Sequence, residues 1–490
     1  MGNIKLKFSS SYQNMMKSKF VETLSHSKNY LIAEMATAGL AIITIPIFTR
    51  LFTPEEYGLV AVFRAYVVIF VPILSINAFT SISRYYYEKS DDFDEFLGST
   101  MILTGSAISI NLVLLIVFYD KLVDLFNVPH IIPILITVNA INLILSSMYM
   151  QILIPQKRSK EVAVIRIISA YLAVTLSIIL VFNIDENKYM GQIYGIIIVG
   201  FGFSVYYFYK ILQIAKLKLV KKHTKYITGY SLPLLPYALS GVILAIFDRI
   251  MINNIEGSGS AGLYSLAYNI ALILIMVVTA TNSAVGPEFF DLMDSNNNDR
   301  LDLLIRRIQS VISIAGLTIM FFADEIITIL AEESYHEAVD VIPIVIIGII
   351  FYSMFAVYGR YIGYSKKTIY SSVTILIAGI SNIVLNSLFI PKYGYIAAAY
   401  TTLVSYLILF LITWFVVKFQ LNLNPTALWI ILKPTILLLI LFLVYLLMLN
   451  FTNFYILRFI IKILLLAIFS LSLFMKDIKI LIEQNSTTIS

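Results

Sequence analysis

The chain has 490 residues, 59% hydrophobic and only 13% charged, with a formal net charge of +6 and a mean hydropathy of +0.87. Too little polar surface is available to face water, so a soluble enzyme or a nucleic-acid-binding domain is excluded in favour of a polytopic membrane protein. The absence of cysteine removes disulfides, thiolate metal sites and thiol chemistry together.

A bilayer core about 30 Å thick takes about 20 mostly apolar residues per helix. Fourteen such stretches follow one another, at 30–49, 57–79, 97–118, 131–154, 162–182, 191–213, 229–252, 261–283, 308–323, 339–361, 369–390, 394–417, 427–449 and 454–475. They are continuously apolar rather than alternating in the ~10-residue segments of a transmembrane barrel, which predicts an all-α membrane protein. The lead, 1–29, carries Lys5, Lys7, Lys17, Lys19 and Lys28 without a short apolar core and cleavage site. It is expected to remain as a basic cytoplasmic segment, either a loose tail or an interfacial amphipathic helix.

With a cytoplasmic N-terminus, the inward segments hold 25 of the 35 Lys and Arg residues and the outward ones 5. The positive-inside rule therefore places both termini in the cytoplasm, in keeping with an even number of spans.

The chain also repeats itself. Gly58-Leu59-Val60-Ala61 aligns with Gly262-Leu263-Tyr264-Ser265, and Thr49-Arg50 with Asp248-Arg249. Phe118-Tyr119-Asp120 before Ile131-Ile132-Pro133 matches Phe322-Ala323-Asp324 before Val341-Ile342-Pro343, and Gln156-Lys157-Arg158-Ser159 matches Ser365-Lys366-Lys367-Thr368. Six spans per copy keep both copies in one orientation, related by an axis along the membrane normal. The expected organisation is a six-helix bundle at 30–213, a basic linker at 214–228, a second bundle at 229–417, two further spans within 427–475 and a cytoplasmic tail at 476–490. The linker lysines, Lys216 to Lys225, read as a topology signal resting on anionic lipid.

No phosphate-cradling G-x-x-x-x-G-K-[ST] loop is present, and the four histidines stand apart without an H-E-x-x-H pair, so neither a nucleotide, a metal nor any other cofactor is expected. Charge inside apolar spans costs at least about 2.5–3.5 kcal/mol per residue and marks a partner, a cavity or a function. Arg64 lies about 10 Å into the second span, deep for snorkelling, and is the first candidate for a cavity-facing cation. Arg50 and the pair Asp248-Arg249 end equivalent spans and read equally as anchors or substrate contacts, while Arg166 and Arg84 near the inner surface also read as snorkelling or topology residues. Lys433, Arg458 and Lys462 in the last two spans read as snorkelling residues or lipid contacts. The outward acids around Asp324 and Glu325 read as a solvated connection. Pro46, Pro72, Pro233 and Pro236 interrupt backbone hydrogen bonding within or at the start of spans and are candidate hinges.

The run Ile45-Pro46-Ile47-Phe48-Thr49-Arg50-Leu51-Phe52-Thr53-Pro54-Glu55-Glu56-Tyr57-Gly58 resembles a known family, as do Ser231-Leu232-Pro233-Leu234-Leu235-Pro236, Asp248-Arg249 before Gly262-Leu263-Tyr264-Ser265, and Ser381-Asn382 through Asn386 to Gly394. The family is that of the polysaccharide-biosynthesis flippases that move lipid-linked O-antigen or capsule repeat units, within the superfamily of lipid II flippases and multidrug extruders. The resemblance implies a V-shaped pair of six-helix bundles around a cationic cavity in a bacterial cytoplasmic membrane, and no enzymatic activity. It implies a polyprenyl-diphosphate-linked oligosaccharide as cargo, with membrane lipids, a polymerase and other assembly proteins as partners. On that reading Arg64, Arg50, Arg249, Arg166 and Arg84 are the diphosphate or cavity cations, and Asp248 and Asn269 the polar gate. An ion-coupled extruder of cationic drugs is the alternative within the superfamily, with Glu34 as the carboxylate in its favour; a membrane glycosyltransferase or ligase is the alternative outside it.

Overall fold

The computed structural model describes residues 28–487 except 30, 31, 38, 41, 89, 90 and 450–453, with side chains described as far as 475. The expectations for the lead, 1–27, and for the last three residues lie outside the described residues. Those described are almost wholly helical and contain no strand. Fourteen helices are long and apolar enough to cross a membrane, the number that the hydropathy predicts.

In chain order the helices are α1 (Ile32–Leu51), α2 (Pro54–Leu74), α3 (Thr80–Glu88), α4 (Phe93–Val117), α5 (Tyr119–Phe126), α6 (Ile132–Leu153), α7 (Ser159–Asn183), α8 (Tyr189–Leu212) and α9 (Lys221–Glu256). They continue with α10 (Ser258–Asp294), α11 (Asn298–Phe321), α12 (Ala323–Leu330), α13 (Ile342–Tyr364), α14 (Ile369–Tyr393), α15 (Tyr395–Phe415), α16 (Leu428–Leu449) and α17 (Tyr455–Thr487). Helices α9 and α10 run to 36 and 37 residues, well beyond their apolar cores, because hydropathy reports the bilayer stretch while helical hydrogen bonding continues into water.

The repeat is visible in local geometry. After α4 the backbone breaks at Phe118 (φ −108°, ψ 19°) and restarts as the eight-residue α5. After α11 it breaks at Phe322 (φ −100°, ψ 16°) and restarts as the eight-residue α12. Pro133 and Pro343 open α6 and α13, where the missing N–H costs no helical bond. The turns that follow place Lys157 and Lys366 at the same left-handed φ of 58°, and α7 and α14 are both 25 residues long.

The helices form two units, one of residues up to Phe52 with Leu59–Val242, the other of Thr53–Gly58 with residues from Ile243 on. In the first unit, α2 ends two residues after Pro72, in a turn whose Ile76 and Asn77 have φ of 47° and 56°. Pro233 and Pro236 lie within the continuous α9. The linker behaves differently from the expected lipid-bound run. Its Lys216, Lys218 and Lys222 side chains reach Asp94, Glu95 and Asp92 at 2.6, 3.3 and 2.9 Å, and Ser99 Oγ donates to Lys218 O (2.8 Å) and accepts from Val220 N (3.1 Å). Four acids near the start of α4, Asp91, Asp92, Asp94 and Glu95, attract the lysines, and the absence of a side chain at Gly98 lets the linker backbone touch the helix, since a β-carbon there would overlap Lys216 O.

In the second unit, α16 packs on α11 through Phe321 and Tyr445, whose ring centroids are 4.9 Å apart. Lys462 of α17 departs from the lipid-facing expectation. It is 2% exposed, its Nζ lies 2.6 and 2.8 Å from the two carboxylate oxygens of Glu325 on α12, and it rests over the Phe322 and Tyr445 rings. An ammonium in an apolar helix is retained by such a counter-ion, so Glu325 is a partner for α17 rather than part of a purely solvated loop.

Candidate functional site

Three groupings of polar side chains stand out against the apolar helices, two in the first unit and one in the second.

In the first unit Arg64 is exposed on α2 between the buried Phe63 and Ala65, about 15 Å along the helix from Pro54. Arg50 is exposed at the end of α1 and donates from Nη1 to Pro46 O, one turn earlier, at 2.8 Å. Arg166 of α7 pairs with Glu34 of α1 at 3.1 Å and lines a pocket of about 250 Å³ with Phe79, Ser146, Ser147, Gln151, Ser169 and Tyr207. A second, apolar groove of about 560 Å³ runs between α7 and α8, lined by Val164, Leu172, Val199 and Phe203.

Arg84 belongs instead to the linker clasp. Its Nε donates to Glu88 at 2.6 Å, Glu88 also accepts from Tyr226 Oη at 2.6 Å, and the guanidinium lies 4.7 Å from the Tyr230 ring centre. At the centre of this clasp Asp92 accepts from Tyr85 Oη (2.6 Å) and Lys222 Nζ (2.9 Å) and contacts Nε2 of the buried His223 at 3.0 Å. The Tyr85 hydroxyl, then Lys222 and His223, hold the Asp92 carboxyl well below the usual carboxylate range, and burial, with the Asp92 bond, pushes the Tyr85 hydroxyl up.

In the second unit Asp248 of α9 is completely buried. Oδ2 accepts from Tyr264 Oη and Thr402 Oγ1, both at 2.7 Å, and Oδ1 from Asn386 Nδ2 at 2.7 Å. Asn386 is itself bonded to Asn382 Oδ1 (3.2 Å) and Thr401, and Asn382 Nδ2 to Thr402 Oγ1 at 3.1 Å. Arg249, adjacent in sequence, is 7% exposed and lies over the Tyr268 ring, 4.5 Å from its centre, with Nη1 donating to Ala245 O. Three neutral donors thus surround one carboxylate. No group of three His, Cys, Asp or Glu side chains that could hold a metal occurs among the described residues; the Asp248 cluster instead combines one carboxylate with amide and hydroxyl oxygens, donors suited to a proton or a hard monovalent cation. Asn269 stands outside it, donating to Tyr57 Oη at 2.9 Å.

The sequence reading singled out Arg166 but not Ser146, Ser147 or Gln151, and Asp248 but not Tyr264, Thr401 or Thr402. Asn382 and Asn386 did carry a signal, since two amides four residues apart in an apolar helix share one face.

The model of the family described as polysaccharide biosynthesis protein matches residues 28–293, more than half of the chain. The chain belongs to that family. This member is 24% identical over 281 residues to the Lsg locus putative protein 1 of Haemophilus influenzae, a stretch covering 54% of this chain and 64% of that protein. It is 25% identical over 280 residues to an uncharacterized membrane protein of Methanocaldococcus jannaschii, covering 54% of each. In both cases the match spans less than two thirds of the relative's length. Among solved structures the chain is similar to the lipid II flippase MurJ in an inward closed conformation, with TM-score 0.70 and 19% identity over 91% of this chain and 99% of that one. It is also similar to an inward-facing multidrug resistance MATE family transporter of the MOP superfamily, with TM-score 0.58 and 14% identity over 81% and 94%. This polysaccharide biosynthesis family member is therefore a multi-pass membrane protein with the fold of those transporters.

Proposed function

We propose that the chain is a flippase that carries polyprenyl-diphosphate-linked oligosaccharide repeat units across a bacterial cytoplasmic membrane, with both termini on the cytoplasmic side, for O-antigen, capsule or exopolysaccharide assembly. The observation that carries this reading is the family match on a chain with the fold of a lipid II flippase and of MATE transporters. The two six-helix repeats act as the halves of an alternating-access carrier, with α16 and α17 appended. Pro46, Pro72, Pro233 and Pro236 serve as bending points, because each removes a backbone donor from its helix.

A diphosphate leaving the headgroup region needs a fixed positive charge, and arginine keeps its charge and presents a planar donor fork. Arg64 and Arg50 take that role, with Arg249 as a supporting cation, whereas Arg166 is paired with Glu34. Arg84 is committed to Glu88 and shapes the clasp. The drug-extruder reading rests on an intramembrane carboxylate in the first bundle; Glu34 is that carboxylate, and its pairing with Arg166 argues against it as a cation receptor. An imposed ion gradient would enter at Asp248, whose buried charge requires a proton or a cation when the network opens.

Reconstitution tests the reading. The protein in liposomes is expected to speed the transbilayer movement of a labelled polyprenyl-diphosphate saccharide over protein-free vesicles and to leave a cationic dye unmoved; the reverse pattern would establish a drug extruder.

A further inference from the structure

We propose that the pocket enclosed by α6, α7 and α8 of the first unit is a saccharide subsite, which accepts a neutral sugar ring of the cargo rather than its diphosphate. The inference rests on the flippase reading and assigns a part of the ligand to a part of the protein. The pocket, about 250 Å³, is walled by Ser146, Ser147, Gln151, Arg166, Ser169 and Tyr207. These come from the last turns of α6, the first turns of α7 and the far end of α8, so the pocket opens near the end of the unit that carries Lys157 and the linker.

Its charge is already balanced. Arg166, the only cation in the lining, is 3.1 Å from the Glu34 carboxylate, and a phosphate arriving there would have to compete with that carboxylate for the same guanidinium. What remains is hydroxyl and amide chemistry. Each serine both donates and accepts, and Gln151 offers two N–H groups and a carbonyl, the complement of vicinal sugar hydroxyls. Ser169 Oγ already donates to Arg166 O at 3.1 Å, leaving its lone pairs to accept. Ser147 and Gln151 are partly exposed on the pocket wall, and a hydroxyl and an amide facing a pocket in an apolar span are best satisfied by a polar guest. Tyr207 is 3% exposed and stacked on Tyr149 at 5.3 Å, so its ring is held rigidly behind the polar lining and fixes the shape of the pocket.

The test compares two cargoes in proteoliposomes: the lipid-linked saccharide extracted from cells that make this chain, and bare polyprenyl diphosphate without sugar. The double variant S147A/Q151L removes two hydrogen-bonding partners while keeping apolar shape. It is expected to slow movement of the saccharide-bearing lipid about tenfold and to leave bare polyprenyl diphosphate at the wild-type rate. An equal loss on both cargoes at an unchanged unfolding temperature, or no loss on either, overturns the subsite while leaving the flippase reading intact; a wild-type protein that moves neither cargo overturns the flippase reading itself. Should the double variant unfold at a lower temperature, Gln151→Leu alone makes the same comparison.

Discussion

Gly58 and Gly262, equivalent positions of the internal repeat, pack backbone against backbone at the starts of α2 and α10. A β-carbon on Gly58 would overlap Ser258 O and come within 2.9 Å of Gly262 N, and one on Gly262 would overlap Pro54 O and come within 3.1 Å of Gly58 N. Neither obstacle is the movable end of a side chain, so the helices must separate to admit one.

Gly58→Val is therefore expected to lower the unfolding temperature in detergent by several degrees or to abolish recovery of folded protein, since forced overpacking costs about 1–3 kcal/mol or more. Gly105→Val on α4, where nothing lies within 4 Å of the added β-carbon, is the control and is expected to unfold near the wild-type temperature.

Lys462→Met leaves the Glu325 carboxylate, 17% exposed, without the ammonium that holds it. Breaking a buried pair from one side costs about 3–5 kcal/mol, whereas replacing both partners is close to neutral. Thermal unfolding is expected to show a large loss for K462M and recovery of most of it in K462M/E325Q.

The clasp between the linker and the start of α4 has a defined pH response. Asp92 is held below the usual carboxylate range, chiefly by Tyr85 and then by Lys222 and His223, so its contribution is complete above the unfolded carboxylate pKa of about 3.9. It declines as the pH drops below that value and is gone once the pH has fallen through the lower folded value. Hydrogen exchange across residues 214–221, corrected for intrinsic rates, should show protection declining as the pH is taken below about 3.9 in the wild type. Asp92→Asn removes the charge that Lys222 Nζ meets at 2.9 Å and is expected to speed tryptic cleavage after Lys222 at neutral pH.

Asp248→Asn keeps the shape of the second-unit network but not its negative charge. Stimulation of transport by an imposed sodium or proton gradient is expected to disappear while the protein stays folded, because the neutral amide no longer needs a compensating cation. Unchanged stimulation would remove Asp248 from the coupling.

The fold was largely legible in the sequence because its determinants are local. Fourteen apolar stretches give fourteen spanning helices, and Phe118 with Phe322, and Lys157 with Lys366, mark the repeat by position before the backbone angles do so. The site was less legible because its pairings are not local. Lys462 meets Glu325 across 137 residues, His223 meets Asp92 across 131, and Thr402 meets Asp248 across 154. A lysine read alone in an apolar helix is indistinguishable from one that snorkels to the interface, and a run of lysines does not disclose that acids 120–130 residues earlier await it. Ser147 and Gln151 share one face of α6 by their spacing, but hydroxyls and amides are common in membrane helices and gain meaning only when α7 and α8 close a pocket beside them.

The most direct test of the central claim is the rate at which reconstituted protein moves the lipid-linked repeat unit across the bilayer, measured for the wild type and for Arg64→Ala at equal unfolding temperature. The account predicts rapid movement by the wild type and loss of at least about tenfold in the variant, the cost of removing one charged contact to a diphosphate. Movement at the wild-type rate by Arg64→Ala would contradict the role given to that arginine, and no movement by the wild type under any imposed gradient would contradict the flippase itself.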